Sequence, residues 1–366
     1  MARIAAVVSN GCNPDPRVLR EARWLVETGH EVTVHAFDRY ENLPLEEDLS
    51  GVIIQRHRVG KTPYGGTIST VTGLMRFRKS VRKSLSSSLI PIDLLHCHDA
   101  DTLPLSKHVN IPVLFDMHDL HHTWVLMENP KSKLRQLASN CMKRKMLKLA
   151  SRANMIITSS LGFVDWLDSH GLKSTSIENR VPINAALPLP NSPTIGYFGR
   201  IRETRSFTLL RDALVLIKKQ EGDAPSVLIA GDGTHATSLP DIFKEEPEIE
   251  IEIRGPFTHS ELHSMMSEIS LMYAMYSPDR GNIAEGALPS KMFEAAAFGR
   301  PSIVNKDTPM GDVCESEKLG ASVPWGNPQS LSASILQQMG TTVTPSIDES
   351  RERERFLKVI HSLLDE

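Results

Sequence analysis

The chain has 366 residues, which is too long for one hydrophobic core, so its length predicts two domains. Apolar residues make up 40% of the chain and charged residues 23%, as in an ordinary globular protein. A net charge of −3 and an aromatic content of 5% argue against a nucleic-acid partner. No run approaches the roughly 18 consecutive apolar residues that a membrane-spanning helix needs, so we expect none.

The cysteines and the N-terminus indicate the compartment. The four cysteines are scattered without a CxxC pair, which favours neither a disulfide framework nor a zinc site. They are Cys12, Cys97, Cys141 and Cys314. The opening MARIAAVVSNGC enters an apolar strand at once, and Pro-Asp-Pro follows it in place of a small-residue cleavage site. We therefore expect a cytoplasmic protein without a signal peptide.

Strands and helices alternate from the N-terminus. Residues 4–8 form a short apolar run that is typical of a buried parallel strand. Residues 17–28 have helical apolar spacing that stops at Gly29, and residues 31–37 alternate as a strand does. These segments predict a complete β-α-β unit. Further strands of the first half are expected at residues 52–54, 94–96, 113–115 and 155–157.

The same pattern restarts after the proline-rich stretch VPINAALPLPNSPT, which reads as a linker. Strands are expected at residues 194–198, 226–229, 249–253, 271–274 and 302–304. Helices are expected at residues 207–219, 259–267, 290–298 and 346–365. This alternation predicts a doubly wound parallel sheet in each half. The predicted domains are residues 1–185 and 190–345, with a C-terminal helix in residues 346–366 that returns to the N-terminal domain.

Two loops of the first half follow predicted strands at the edge where parallel sheets bind ligands. In the first of them, Gly11 lets a ligand approach the backbone. In the second, His118 lies between two aspartates; a lone histidine is more often a core residue, but this position favours a polar site. The HDLHH run lacks the HExxH spacing that places two ligands on one helical face, so we expect no metal site.

Two loops of the second half also follow strands. Arg200 and Arg205 flank the start of a predicted helix, whose free N–H groups favour anions. Two guanidinium groups there would clamp a diphosphate, although a solvated charged turn explains them equally well because Glu203 lies between them. GDGTHA, at residues 231–236, does not match GxGxxG, which argues against a nicotinamide cofactor.

The stretch EGALPSKMFEAAAFGRP, residues 285–301, predicts a buried helix that starts near Ser290. An acid near a helix N-terminus is favoured by about 0.3–1 kcal/mol, which accounts for Glu294. The same dipole opposes the cation Lys291. We infer that this helix end faces a ligand that needs both charges.

Seven segments, in one order along residues 1 to about 340, resemble the family 4 glycosyltransferases of the GT-B fold. They are DPRVLREARWLVETGHEVTV, DLLHCHDADTLPL, LFDMHDLHH, IGYFGRIRETR, VLIAGDGTHA, RGPFTHSELHSMM and LPSKMFEAAAFGRP. The resemblance implies two Rossmann-like, doubly wound α/β domains that face each other across a cleft. It further implies a nucleotide sugar bound mostly by the C-terminal domain.

The resemblance also assigns roles to residues of the C-terminal half. Glu294 would accept hydrogen bonds from two ribose hydroxyls, and Arg200 matches the family's diphosphate arginine. Arg205 stands near the family's usual lysine, while Lys291 and Ser290 would lie toward the phosphates and the donor sugar. The other donor-binding residues that we predict are Gly11, Gly199, Gly231, Asn282 and Glu285.

In the N-terminal half, His118 matches the histidine that approaches the transferring sugar, and we expect it to position that sugar. The acceptor-side residues that we predict are Asn13, Arg17, Asp99 and Asp119. Family members need no metal, because cations and a helix terminus neutralise the departing diphosphate. We therefore expect retaining transfer of a hexose-type sugar from a UDP-sugar or GDP-sugar to a glycan or glycolipid acceptor of the cell envelope, with no cofactor.

The chain departs from the family pattern at one position. Family members often carry two glutamates seven residues apart, the second corresponding to Glu294. The first falls on Gly286, with Glu285 one residue away. The contact to the donor sugar is thus the part of the pattern that the resemblance does not supply.

The first half of the chain is basic, with +6 over residues 1–188 and −9 over the rest. Residues 76–83 hold five cations and no acid, and residues 131–152 hold eight cations and no acid. Solvated helix faces over a normal core are one interpretation. Attachment to an anionic membrane surface is the other, because each near-surface cation contributes about 1 kcal/mol. The second interpretation predicts a peripheral location on the inner face of the cell membrane.

Two other functions remain open from the residues. One is a nucleotide-sugar 2-epimerase, an isomerase on a related fold that would release free nucleotide sugar. The other is a non-catalytic nucleotide-sugar-binding subunit of a membrane complex. Turnover of a sugar nucleotide into a conjugate distinguishes the transferase from both.

Overall fold

The computed structural model describes residues 1–63, 67–87, 90–126 and 129–364, apart from the side chains of residues 67 and 68. The chain divides into two compact units. Unit 1 comprises Met1–Glu178 and Arg351–Glu366, and unit 2 comprises Asn179–Ser350. The first change of unit lies just before the proline-rich stretch of the sequence, and the second lies within the C-terminal segment.

Unit 1 is built on an eight-stranded sheet in the order β3-β4-β2-β1-β5-β6-β7-β8. Seven of its strands are parallel neighbours, as predicted, and the edge strand β3, which the sequence did not predict, pairs antiparallel with β4. The acidic β3 has no apolar pattern that would have predicted it. The strands are β1 (Arg3–Val8), β2 (Glu31–Phe37), β3 (Glu46–Leu49), β4 (Val52–His57), β5 (Leu94–His98), β6 (Val113–Met117), β7 (Met155–Thr158) and β8 (Thr175–Ser176).

Helices connect the strands of unit 1. The first begins after Asp15, whose side chain accepts from the backbone N–H of Val18 at 3.2 Å, and Pro16 occupies its first turn. Its buried face carries Val18, Ala22 and Leu25, as the helical spacing predicts. The helices are α1 (Pro16–Glu27), α2 (Thr67–Ser87), α3 (Asp99–Thr102), α4 (His121–Trp124), α5 (Lys133–Ala150) and α6 (Leu161–Asp168), with a 3-10 turn at Leu103–His108.

Unit 2 is built on a six-stranded sheet in the order β11-β10-β9-β12-β13-β14, and all of its paired neighbours are parallel. The chain moves outward from β9 to one edge, returns, and continues from β12 to the other edge. Ligands of such sheets bind beyond the carboxyl ends of the two central strands, where the direction of winding changes. The strands are β9 (Thr194–Phe198), β10 (Ser226–Ala230), β11 (Ile251–Arg254), β12 (Leu271–Ala274), β13 (Ser302–Asn305) and β14 (Gly320–Val323).

The helices of unit 2 cover both faces of this sheet. The predicted helix at 259–267 opens with one 3-10 turn, His259–Glu261, which a reciprocal Thr258–Glu261 capping box holds. The helices are α7 (Arg205–Glu221), α8 (Leu239–Phe243), α9 (Leu262–Ser267), α10 (Gly281–Ala284), α11 (Ser290–Ala297), α12 (Pro309–Ser316) and α13 (Pro328–Gln338), with a further 3-10 turn at Ala236–Ser238.

The last helix, α14 (Glu349–Leu364), belongs to unit 1. Phe356, Val359 and Ile360 join the core beside β1 and α1, and the Phe356 ring lies 5.7 Å from the Trp24 ring. Residues 365 and 366 of the predicted helix lie outside the described residues. In the part of the chain that the structure covers, no helix has the length and apolarity to cross a membrane.

Candidate functional site

The centre of the unit 2 sheet carries most of the residues that the sequence assigned to donor binding. Gly199 follows β9 directly, and Tyr276 lies two residues beyond β12. Tyr276 is fixed by Asn305, which accepts from its N–H at 2.7 Å and donates to its carbonyl at 2.9 Å. These two positions bracket the point where the winding of the sheet reverses.

Lys291 reaches this point from the first turn of α11. Its side chain is 8% exposed, and its Nζ lies 3.3 Å from the centre of the Tyr197 ring and 5.4 Å from that of Tyr276. A Cβ built on Gly199 would lie 3.6 Å from the same Nζ. Burial lowers the pKa of Lys291 well below its usual value, and Arg280 lowers it further while Glu294 opposes the shift. An ammonium at this position forms no ion pair with any residue that the structure describes.

Glu294 lies one helical turn beyond Ser290 and bonds to its side chain. Burial raises the pKa of the Glu294 carboxyl, and the Ser290 hydrogen bond and Lys291 act in the opposite direction. Asn282 is buried on α10, whereas Glu285 is exposed at the end of that helix. The structure therefore places Ser290, Lys291 and Glu294 together and leaves Glu285 at the surface.

Two glycines of unit 2, Gly231 and Gly286, have backbone conformations that favour glycine. Gly231 has φ of 142°, and a Cβ there would lie 2.0 Å from the carbonyl oxygen of Gly199. The loops after β9 and β10 approach each other this closely only without a side chain. Gly286, where the family often has a glutamate, has φ of 121°, a backbone conformation that a glutamate would adopt only with strain.

The two predicted diphosphate arginines are both solvent-accessible and each has an aspartate beside it. Arg200 is 64% exposed, and its Nε lies 3.9 Å from Asp232. Arg205 begins α7 and forms an ion pair with Asp279. Exposed pairs of this kind contribute about 0–1 kcal/mol, so an incoming anion can replace either aspartate at little cost.

Arg280 is a residue of this region that sequence reasoning missed. Its Nε is buried without a hydrogen-bond partner among the described residues, and its Cζ lies 4.7 Å from the centre of the Tyr276 ring. The signal was present, because SPDRGN follows the predicted strand at 271–274 as a ligand-binding loop does. Asn282 of this segment was predicted, but the burial of the Arg280 Nε is visible only in the structure.

In unit 1, the carboxyl ends of β5 and β6 carry a buried network centred on Asp116. Arg17 donates to both Asp116 oxygens, at 2.7 and 2.8 Å, and to the carbonyl of Ile177 at 2.6 Å. Its Nη2 also lies 3.2 Å from Glu21. Arg17, which we predicted on the acceptor side, is thus buried and committed to other residues of its own unit.

His118 joins this network through Asp116, 2.7 Å from its Nε2, and its Nδ1 lies 3.5 Å from Asp99. Burial would lower the pKa of His118, but Asp116 and Asp99 raise it to about 10. His121 lies 3.5 Å from Asp99, and its pKa is about 9 because Asp99 outweighs burial. Asp99 has φ of 63°, a conformation that the surrounding contacts must hold. Both imidazoles are therefore cationic at neutral pH.

The other predicted residues of unit 1 are Asp119, Asn13 and Gly11. Asp119 accepts from the Trp124 ring nitrogen at 3.2 Å, and Asn13 is exposed. At Gly11, a Cβ would lie 2.6 Å from the Leu43 side chain. The Gly11 carbonyl accepts a hydrogen bond from Arg56 at 2.8 Å.

Four side chains of the network have the composition of a metal site. Ligand atoms of Glu21, His96, His98 and Asp116 all lie within 4.8 Å of one another. Arg17 already supplies a cation between the two carboxylates. Since Asp116 holds that guanidinium through both oxygens, burial dominates at Glu21 and raises its pKa to about 8, while Arg17 acts in the opposite direction.

Comparison with known families and structures identifies this arrangement. The model for Glycosyltransferase Family 4 matches residues 17–181, and the model for Glycosyl transferases group 1 matches residues 192–340. The chain is a family 4 glycosyltransferase of the GT-B fold. No curated protein matches this glycosyltransferase in sequence.

Solved structures share its fold. The sucrose-phosphate synthase of Thermosynechococcus elongatus is 15% identical with a TM-score of 0.74, over 98% of this glycosyltransferase and 94% of that chain. HepE of Anabaena, solved with UDP and glucose, is 15% identical with a TM-score of 0.71, over 99% and 100% of the two chains. A TarM variant of S. aureus, solved with fondaparinux, alpha-GlcNAc-glycerol and UDP, is 13% identical with a TM-score of 0.69, over 100% of both.

Proposed function

We propose that this glycosyltransferase moves a hexose-type sugar, with retention at the anomeric carbon, from a UDP-sugar or GDP-sugar to a glycan or lipid-linked acceptor in cell-envelope polysaccharide or glycoconjugate synthesis. The observation that carries the proposal is the grouping of Ser290, Lys291 and Glu294 at the centre of the unit 2 sheet. A carboxylate and a cation one turn apart match the ribose and the phosphates of a nucleotide diphosphate.

In this proposal, unit 2 holds the donor. Arg200 and Arg205 turn from their exposed aspartates to the diphosphate, where they stabilise the charge that develops as the bond to the sugar breaks. Lys291 and the free N–H groups at the start of α11 add to this stabilisation. No metal is required, because these groups supply the positive charge.

Unit 1 supplies the acceptor side. His118, fixed through both ring nitrogens by Asp116 and Asp99, presents a rigid imidazolium that positions the transferring sugar. HepE and TarM, solved with UDP and with sugars, support a sugar nucleotide as the donor class.

We propose further that α5 and α2 attach the enzyme to an anionic membrane surface on the cytoplasmic side. Leu134 is 80% exposed, Leu137 67% and Met142 42%, so the cations of α5 surround apolar side chains that face solvent. On α2, a groove of about 490 Å³ is lined by Arg76, Lys79, Ser80, Arg82, Lys83 and Ser86. The enzyme should float with phosphatidylglycerol vesicles. Flotation should be lost at high salt, with vesicles of phosphatidylcholine alone, and in the double variant Leu134→Ser/Leu137→Ser. Failure to float on anionic vesicles contradicts this attachment.

The donor site is tested by thermal unfolding with UDP, GDP, ADP and their sugar conjugates in the presence of a chelator. One nucleotide should raise the melting temperature of the wild-type enzyme, and Glu294→Ala should abolish the increase. Glu245→Ala, which removes an exposed acid elsewhere in unit 2, is the matched control and should keep it.

The nucleotide sugar so identified is then incubated with candidate acceptors. A conjugate that keeps the anomeric configuration of the donor supports the proposal. Inversion, a metal requirement, or release of an epimerised nucleotide sugar contradicts it.

A further inference from the structure

Lys291 is buried in a setting that opposes its charge. Two tyrosine rings enclose its Nζ, and among the residues that the structure describes it has no ion pair and no hydrogen bond. Tyrosine rings stabilise an ammonium modestly, whereas desolvation of an unpaired ammonium costs several kcal/mol, on the order of the shifts seen for buried lysines. The ionisable groups that face Lys291 are Tyr197 from β9, Arg202 from the loop after it, Tyr276 and Arg280 from the loop after β12, and Glu294 from α11 itself.

Arg280 is the neighbour that completes this cluster. Its guanidinium lies over the Tyr276 ring, 4.7 Å from the ring centre, and its buried Nε has no acceptor among the described residues. Asp279, the adjacent acid, pairs with Arg205 instead. Arg280 and Arg202 both lower the pKa of Lys291, and Glu294, which is half-buried and bonded to Ser290, acts in the opposite direction.

We propose that Lys291 and Arg280 form the inner anion-binding pair of the donor site, and that Lys291 is uncharged in the free enzyme and takes up a proton from solvent when a diphosphate binds. The inference rests on the proposed function, because it takes the diphosphate of a nucleotide sugar as the ligand. It adds Arg280 to the site, and it makes donor binding depend on pH. Burial and Arg280 together hold down the pKa of the free lysine, and a dianionic diphosphate beside Nζ reverses the balance.

The sign of the pH dependence follows. The pKa of Lys291 is higher in the complex than in the free enzyme, so the complex binds more protons. Affinity for the diphosphate then rises as pH falls between the two pKa values, by at most about tenfold per pH unit for one proton. Above the pKa of the complex and below that of the free enzyme, affinity no longer changes with pH through Lys291.

Calorimetric titration measures the proton directly. UDP-glucose, GDP-mannose and ADP-glucose are titrated at about pH 7.5 and about pH 9, each in two buffers of different ionisation enthalpy. These probes have diphosphate diesters that do not titrate in this range, so a buffer-dependent enthalpy reports protons taken up by the protein. For the probe that binds, proton uptake should approach one proton per site at the pH where affinity falls most steeply as pH rises.

Two variants locate the proton. Lys291→Arg keeps a cation that cannot lose its proton, so binding should persist with proton uptake near zero. Arg280→Gln should weaken binding and also reduce proton uptake, because the pKa of Lys291 in the free enzyme rises once Arg280 no longer lowers it. Thermal unfolding without nucleotide checks that each variant is folded, and the wild-type titration alone decides the matter if Lys291→Arg is not.

The outcomes separate this inference from the function on which it rests. Binding with no proton uptake at either pH, or uptake that Lys291→Arg retains, overturns the inference and leaves the donor site in place. No binding of any probe overturns both.

Discussion

Unit 1 and unit 2 place their charged side chains at equivalent positions of their sheets and use them in opposite ways. In unit 1, Arg17 and Asp116 are buried and bonded to each other through two hydrogen bonds. In unit 2, Arg200 and Arg205 are exposed beside weakly held aspartates. In unit 1, Arg17 and Asp116 satisfy each other, whereas the arginines of unit 2 lie beside aspartates that an incoming anion can replace.

This difference shows that an arginine near the ligand-binding edge of a sheet can serve either stability or ligand binding. Arg17 has the position of a binding residue but contributes to stability, because removing it would take from the buried Asp116 the guanidinium that donates to both of its oxygens. Arg200 contributes little to stability, because water and Asp232 already satisfy it. Substituting one charge at a time in each unit tests this contrast.

The largest effect is expected for Arg17→Met. Breaking a buried ion pair by removing one partner costs about 3–5 kcal/mol, and the free energy of unfolding should fall by that amount in a urea titration. Arg23→Met removes an exposed arginine from the same helix and should change stability by about 0.5 kcal/mol or less. Equal effects of the two substitutions would contradict the assignment of Arg17 to a buried ion pair with Asp116.

The next effect concerns rate. Arg200→Ala should lower kcat by about a hundredfold to a thousandfold, as the loss of one charge-stabilising donor does, with unfolding stability nearly unchanged. The measurement is initial-rate transfer from the nucleotide sugar that binds, together with a urea titration. Lys219→Ala, at the other end of α7, is the exposed control. Wild-type activity in Arg200→Ala would remove this residue from the site.

The smallest effect depends on pH. The folded pKa of Glu21 is raised to about 8 from 4.5. The stability that its proton contributes is therefore complete below about pH 4.5 and is lost as pH rises through about 8. Glu21→Gln should match the wild type near pH 5 and be about 1–3 kcal/mol more stable near pH 9. A stability difference that does not grow with pH would mean that Arg17 holds Glu21 ionised.

The sequence was sufficient for the sheet strands because parallel strands are apolar runs. Residues 31–37, 194–198 and 271–274 were predicted with the observed limits. It failed at β3 and β14, where four-residue strands carry acidic or small residues, since their pairing comes from neighbours rather than from their own pattern. Lys291 was singled out by its place at a helix N-terminus and His118 by its place after a strand, but the sequence did not show whether either charge is paired.

That last distinction requires three-dimensional information. Arg17 and Asp116 are 99 residues apart, so nothing near either of them in the sequence predicts their hydrogen bonds. Arg280 was missed because the feature that distinguishes it, a buried Nε without an acceptor among the described residues, is visible only in the structure.

The return of α14 to unit 1 makes unit 2 an insertion within the chain of unit 1. During synthesis, the strands of unit 1 leave the ribosome before unit 2 is made, while Phe356 and Ile360 of their core follow only after unit 2. Trp24 and the apolar surface of α1 and β1 beside it are thus uncovered throughout the translation of unit 2. The apolar core of the nascent unit 1 is therefore completed only when α14 docks.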